Sequence, residues 1–589
     1  MGKKWLNIIT ALGALIAGAL SFMLLERSQA FAYFYREQNQ IFLLDWHDIF
    51  SRLMSPGGFA LVLSQFFVQF FKIANVGALI TSLLGLLTTL LLWKSLKNKT
   101  SLAALPLSLI PVFLQEGALS DTFYYYQGFV AFVLAALFLW LYVIFSSEKG
   151  TWFRMFLGTF LTLALYFIAG PVAFLLAICL AIFDVSGDWK HWYFALVPVV
   201  SIVICGWLRM RLGFIQDLKL ALFQNGYYEP LLKPSAYIHA SWIALPVIIL
   251  ISCGVRFFKT KMFETALAVV ALVLSLVTLF RIPSHIDKKY YDSLRLSHYI
   301  NEEDWDSILS DRTSTHMNYI LMNIRNLALS RKGMLLDRLF DYPQKGILSL
   351  LAENDQSDQN TDMTVLHSHI YYAMGSTAPA QNKAFDSSVG IRFGNPYMIM
   401  RLIKTNLVWG AWDVAGKYIS MMEKTLFYRG QAREFRRFLN DDASVLSDPE
   451  LGRLRRGLTK RDYFSGMNPL ADLELILEAD PSDKAARDYY VSFMLLAKDI
   501  EGLRHYIENV PEAYDKQGNL HVHLQEAVMI YAEGDKEYCK AHGVTDETLN
   551  RYEAFRKQFI SLKTNGGNPP SVMRSFTGTF WYYYMFINS

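Results

Sequence analysis

Phe263-Glu264-Thr265-Ala266-Leu267-Ala268-Val269-Val270-Ala271-Leu272-Val273-Leu274-Ser275-Leu276-Val277-Thr278-Leu279-Phe280-Arg281 is the last long apolar stretch of the chain. Immediately after it, Ile282-Pro283-Ser284-His285-Ile286-Asp287-Lys288-Lys289 is sequence of another kind. A helix needs roughly 20 apolar residues to cross about 30 Å of hydrocarbon, so residues 263–281 read as a membrane span and their end as a domain boundary. Division at Arg281 separates two compositions. The first 281 residues carry 20 Lys and Arg against 12 Asp and Glu, and the last 308 carry 36 against 40. The net charge of +4 and the 53% hydrophobic content of the 589-residue chain average a basic membrane half with a slightly acidic soluble half. A hydrophobic fraction this high excludes a disordered or collagenous chain, and four Cys exclude a disulfide scaffold.

Working back towards the N-terminus, residues 5–25, 76–93, 124–145 and 236–254 are further clear spans. Residues 102–119 are broken by Pro106 and Pro111. Residues 152–169, 171–183 and 192–207 are weaker, the last two being short. Taking all of these gives nine crossings. With the N-terminus in the cytoplasm, the inner loops hold Lys94, Lys97 and Lys99, then Lys149, Lys190, and Arg256, Lys259 and Lys261, as the positive-inside rule asks. Residues 57–71, after Pro56, read as an interfacial or re-entrant helix, since a crossing there would invert the Lys-rich loop. An odd span count puts residues 282–589 outside the cytoplasm. No small-residue cleavage pattern comes after Leu25, so the first span reads as an anchor that is retained.

From residue 282 onward, short amphipathic helices alternate with polar breaks, as at 318–329, 366–375, 402–424, 472–477, 485–497 and 520–532. Leu407-Val408-Trp409-Gly410-Ala411-Trp412-Asp413-Val414-Ala415-Gly416 sets large rings beside Gly and Ala, as a closely packed helix–turn–helix pair requires. The expected fold class is therefore all-α: a polytopic helical membrane domain, 1–281, followed by a helical-repeat domain, 282–589. His367/His369 and His521/His523 form HxH pairs with no third ligand in an obvious motif, short of what zinc asks. The aromatic run Phe580-Trp581-Tyr582-Tyr583-Tyr584-Met585-Phe586 reads as a terminal segment docked on the repeat domain or at the membrane interface, or as a lipid or carbohydrate contact.

Ionisable groups near membrane depth are candidates for function. The outer loops are 26–75, with Glu37, Asp45-Trp46-His47-Asp48 and Arg52, then a short second loop with Glu116 and Asp121. The third is the turn at Gly170-Pro171. The fourth, 208–235, carries Arg209, Arg211, Lys219, Tyr227, Tyr228 and Lys233.

Long first and fourth outer loops, short second and third ones, and acidic residues soon after the first span resemble the GT-C class of membrane glycosyltransferases over roughly residues 5–254. The repeat-like half resembles a degenerate tetratricopeptide array without a clean 34-residue period, and the whole chain is similar to bacterial multispanning proteins with repeat-type outer domains. The GT-C resemblance implies an enzyme of the bacterial inner membrane that takes a sugar from a polyprenyl-phosphate carrier at the outer leaflet. In that reading Asp45 or Asp48 takes the proton of the acceptor hydroxyl, a role worth about 10²–10⁴-fold. Arg209, Arg211 or Lys233, with Tyr227 and Tyr228, meet the leaving phosphate. Glu37, Glu116 and Asp121 support the base or hold Mg²⁺ or Mn²⁺ through oxygen ligands.

Each group also has a plainer reading. Asp45 and Asp48 suit the N-cap and polar face of an interfacial helix, Arg209 and Arg211 suit snorkelling at a span end, and Glu116 and Asp121 suit a loop or a helix cap. The alternative function is a non-catalytic envelope scaffold anchored in the bilayer, with a protein partner on the repeat domain. A transporter would show related halves, which are not evident. No GxxxxGK[ST], GxSxG, HExxH or paired CxxC occurs, and a slightly acidic soluble half argues against nucleic acid.

Overall fold

The computed structural model describes residues 3–187, 189–255, 260–315, 318–352, 360–461, 468–514, 518–564 and 573–587. Arg256 and Lys259, which bear on the inner-side charge count, lie outside the described residues, as does the side chain of Lys261. The fold is helical: 77% helix, with no strand among the described residues. Two compact units emerge, one of Met1–Leu294 with Lys424–Phe427, the other of Arg295–Glu423 with Tyr428–Ser589.

Among the described residues of the first unit, six helical stretches are long and apolar enough to cross a membrane: Ile8–Gln38, Val76–Leu96, Tyr126–Phe145, Thr151–Ala169, Trp189–Arg211 and Met262–His285. Four shorter apolar ones are Gly58–Lys72, Ala104–Ala118, Val172–Gly187 and Ala240–Gly254. The first helix, α1 (Lys3–Gln38), runs 36 residues and does not stop at Leu25. No Gly or Pro interrupts residues 19–38, and Gln29 and Arg36 are buried among packed neighbours, so Glu26-Arg27 begins no loop. Two short helices come next, α2 (Trp46–Leu53) and α3 (Gly58–Val68). Then come α4 (Val76–Leu96), α5 (Ala104–Ala118), α6 (Tyr126–Phe145), α7 (Thr151–Ala169), α8 (Val172–Gly187), α9 (Val197–Arg211), α10 (Ala240–Gly254) and α11 (Lys261–Arg281).

Small residues let the first helices close on one another. A Cβ on Gly77 of α4 would lie 2.6 Å from the Tyr33 ring of α1, and one on Gly85 would collide with the Glu116 carboxylate of α5. Residues 152–183 do not form one kinked helix. Gly170, at φ +84° and ψ −134°, stands in a region that a residue with a Cβ avoids, and it separates α7 from α8. Glu264 at the start of α11 accepts the amide hydrogens of Ser101 (2.6 Å) and Leu102 (2.9 Å), fastening it to the beginning of α5.

In the second unit the principal helices are α12 (Tyr319–Arg331), α13 (Thr361–Met374), α14 (Thr377–Gly390), α15 (Pro396–Trp409), α16 (Trp412–Met422), α17 (Pro449–Arg456), α18 (Pro469–Ala479), α19 (Lys484–Ala497), α20 (Ile500–Asn509), α21 (Val522–Tyr531), α22 (Asp546–Thr564) and α23 (Phe580–Phe586). Pairs such as α13/α14, α15/α16 and α18/α19 pack against each other. Their boundaries have local causes. Asn395, Asp448 and Asn468 each cap a helix whose first residue is Pro, and proline is pre-set for that position. Gly410 at φ +71° ends α15, and the stretch 402–424 is thereby two helices joined by one tight turn. The aromatic tail is docked on the second unit itself: Trp581 is 1% exposed beside Tyr552 and Phe555, and Tyr583 donates to Leu496 O at 2.9 Å.

Candidate functional site

The residues expected to act together are held in three neighbourhoods of the first unit. The first is α2. Asp45 is its N-cap, accepting the His47 amide hydrogen at 2.9 Å, and its other oxygen accepts from Lys424 Nζ. The Lys424 hydrogen bond, seconded by the His47 amide, holds the Asp45 carboxyl below the usual carboxylate range. Asp48, one turn on, pairs with Arg52 at 3.0 Å, and Arg52 also donates to Gln65 Oε1 of α3 at 2.7 Å. Between α2 and α3 lies an open groove of about 410 Å³, walled by Phe42, Leu44, Trp46, Ile49, Phe59 and Phe66 among others.

The second neighbourhood gathers the end of α1, the residues after α5 and the segment before α10. Arg36 is 8% exposed and donates to the carbonyls of Leu119 (2.7 Å), Asp121 (2.9 Å) and Tyr124 (3.4 Å). A guanidinium presents a planar fork of donors, which suits several carbonyls of one loop at once. Glu37, 4% exposed, is its neighbour at the end of α1. Asp121 caps Phe123 N with one oxygen (3.0 Å) and accepts from Tyr228 OH with the other (2.9 Å). Tyr124 and Tyr228 form an isolated antiparallel bridge, and Tyr125 OH donates to Glu229 at 2.5 Å. Tyr228, with its hydroxyl on a carboxylate, is desolvated and raised above the ordinary tyrosine range. Tyr227 turns the other way: its hydroxyl donates to Ala169 O at 2.5 Å and accepts from Val172 N at 3.1 Å, stapling the Gly170-Pro171 turn.

Glu116 is not in a loop. It is the third-last residue of α5, 1% exposed, and accepts from Ser21 Oγ of α1 at 2.6 Å. The helix continues through Gln115-Glu116-Gly117-Ala118 because these residues pack against α1 and α4, and burial of that face outweighs the polar look of the sequence. Glu116 and Asp121 consequently take different partners. Among the described residues no three His, Cys, Asp or Glu gather as a metal site would require.

The third neighbourhood is the end of α9. Arg209 donates to Tyr166 OH at 3.3 Å with its guanidinium 5.9 Å from that ring, and Arg211 lies 5.5 Å from the Trp207 ring. Lys233 is exposed. Within the candidate set, the structure therefore brings Asp121 and Tyr228 together, with Arg36 and Glu229 as partners that sequence reading missed. A lone Arg closing the run Phe31-Ala32-Tyr33-Phe34-Tyr35 was the available signal for Arg36. The histidines of the second unit have protein partners: His369 accepts from Arg401 at 3.0 Å, and His523 meets Glu526 at 2.7 Å.

No curated protein and no solved structure matches the chain. A family of unknown function, DUF6057, matches residues 4–587, and the chain, with six helices fit to cross a membrane among its described residues, belongs to that family.

Proposed function

We propose that the protein is a sugar transferase of GT-C-like layout. It takes its donor from a polyprenyl-phosphate carrier at the outer leaflet of the bacterial inner membrane, with nine crossings, a cytoplasmic N-terminus and a tetratricopeptide-like second unit outside. One observation carries this reading. The segment after the first long apolar helix folds into two short helices, and the end of that first helix is stitched by Arg36 to the 119–124 loop and, through Asp121–Tyr228, to the segment before α10. Three segments assigned to one side of the membrane thus share one polar node.

On α2, Asp45 and Asp48 are the candidates for general base; Lys424 holds Asp45 and Arg52 holds Asp48, so the acid that receives the proton first exchanges its cation for the acceptor hydroxyl. Arg209, Arg211 and Lys233 are the cations available for a departing phosphate, and reaching it requires Arg209 and Arg211 to leave their aromatic rings. Membranes carrying the wild-type chain, supplied with a polyprenyl-phosphate sugar, are expected to form product. Asp45→Asn or Asp48→Asn should lower that rate about 10²-fold or more. Undiminished product from both variants, each folded and inserted, sinks the reading.

A second reading, a non-catalytic scaffold, is favoured by two observations: the acidic and basic candidates sit in separate neighbourhoods, and the second unit is built of helix pairs, an architecture that most often binds other proteins. Crosslinking in intact membranes should then recover a stable protein partner, and recovery of none would count against it.

A further inference from the structure

The groove between α2 and α3 is a feature of the first unit that the proposed chemistry leaves unused. We infer that it holds one acyl chain of a bilayer phospholipid. At about 410 Å³ it is of the size that binds small molecules, yet every lining side chain is apolar, so it offers nothing to orient a polar ligand. Trp46, Ile49, Phe50 and Leu53 succeed one another at helical spacing on α2, opposite His47, Asp48, Ser51 and Arg52. Trp46 is 84% exposed, Phe50 59% and Phe59 45%. An amphipathic helix of this composition lies in a membrane interface rather than in water.

The α3 wall of the groove packs on α7, whose outward face is apolar. Gly57 N, just before α3, donates to Phe167 O at 2.8 Å in the last turn of α7. From that point the outward row Phe167, Leu163, Phe160 and Phe156 runs exposed down α7, one of the helices able to cross a membrane. A chain in the adjacent leaflet therefore reaches the groove along α7. The cations beside it, Arg52 and Lys424, already pair with Asp48 and Asp45, so the tail and not the head group provides recognition. An acyl chain from the surrounding bilayer is the occupant that this adjacency supplies.

The test uses the full chain purified from native membranes in mild detergent, with lipids extracted and counted by mass spectrometry. Wild type and the α7 control Leu163→Trp are expected to retain one phospholipid per chain through extended washing. Ile49→Trp and Val62→Trp, at two positions that line the groove, fill it and are expected to lose most of the lipid. Independently of any variant, a phosphatidylethanolamine with a diazirine-bearing acyl chain should label peptides from 42–66 several-fold above those of 156–167. Equal retention by the filled variants, equal labelling of the two regions, or recovery of an isoprenoid or a peptide in place of a phospholipid would each overturn the assignment.

Discussion

Arg453 should be among the most costly single side chains to remove from the second unit. Its Nη1 meets Asp483 Oδ2 at 2.8 Å, and the Asp483 side chain is 1% exposed against 21% for Arg453. Its Nη2 donates to Tyr372 O and Ala373 O at 3.3 and 3.4 Å, the terminal carbonyls of α13. One side chain of α17 thus holds the end of α13 and the start of α19. Arg453→Met leaves a buried carboxylate unpaired, which costs about 3–5 kcal/mol. Asp483→Asn is gentler, because Asn caps as well as Asp and the hydrogen bond to Ala486 N, 3.1 Å in the native structure, survives. Its expected cost is about 1–2 kcal/mol, the loss of one charged hydrogen bond.

The double variant has no orphaned charge and should be less damaged than the sum of the two, by about 1–3 kcal/mol. Hydrogen exchange on the full chain in detergent reads this locally. Amides in the last turn of α13 and the first turn of α19 should exchange about 10²–10³-fold faster in Arg453→Met, since each 1.4 kcal/mol is tenfold. Unchanged protection at both places, or a double variant equal to the sum, would refute the hub.

Arg36→Met should free the 119–124 loop, costing about 3–6 kcal/mol for two good charged hydrogen bonds, and should expose that loop to added protease while Arg36→Lys recovers part of the protection; equal cleavage of wild type and Arg36→Met removes the clamp. Gly77→Ala should destabilise by about 1–3 kcal/mol through overpacking on Tyr33, whereas Gly254→Ala, which meets nothing within 4 Å, should be neutral; thermal melts that rank them otherwise contradict the α1–α4 packing. His369 is held neutral, well below the usual histidine range, by burial and then by Arg401, Arg331 and Lys404. Its native pKa is depressed, so between that value and the ordinary one of about 6.5 the unfolded chain binds a proton that the native chain does not. Stability should be full above pH 6.5 and fall as the pH drops below it, and His369→Gln should flatten that fall in urea titrations; an unchanged slope refutes the assignment.

Much of the architecture is legible in residue order because its causes are local. The apolar stretches, the break at Gly170-Pro171, the helix at 57–71 and the turn at Gly410 all arise from hydrophobic runs and from residues whose backbone preferences act on their immediate neighbours. The Asn395-Pro396, Asp448-Pro449 and Asn468-Pro469 pairs, which sequence reading missed, start helices by the same kind of local cause. The candidate site was less so. Asp45 and Asp48 belong to a short amphipathic helix, as their spacing allows, but the lysine on Asp45 lies 379 residues away. Glu116 looked like a loop acid because its neighbours are polar, and its burial depends on Ser21, 95 residues earlier, and on the absence of a side chain at Gly85.

By itself, then, the sequence determined a helical chain with an apolar first half fit for a membrane and a capped, hairpin-rich second half, since hydrophobic pattern, Gly and Pro act within a few residues. Only the tertiary structure decided which charges are used up. Arg36 on the 119–124 carbonyls, Asp121 under Tyr228 and Asp483 under Arg453 are pairings between groups distant in sequence. A charge buried by packing must find its partner wherever the fold has brought one near.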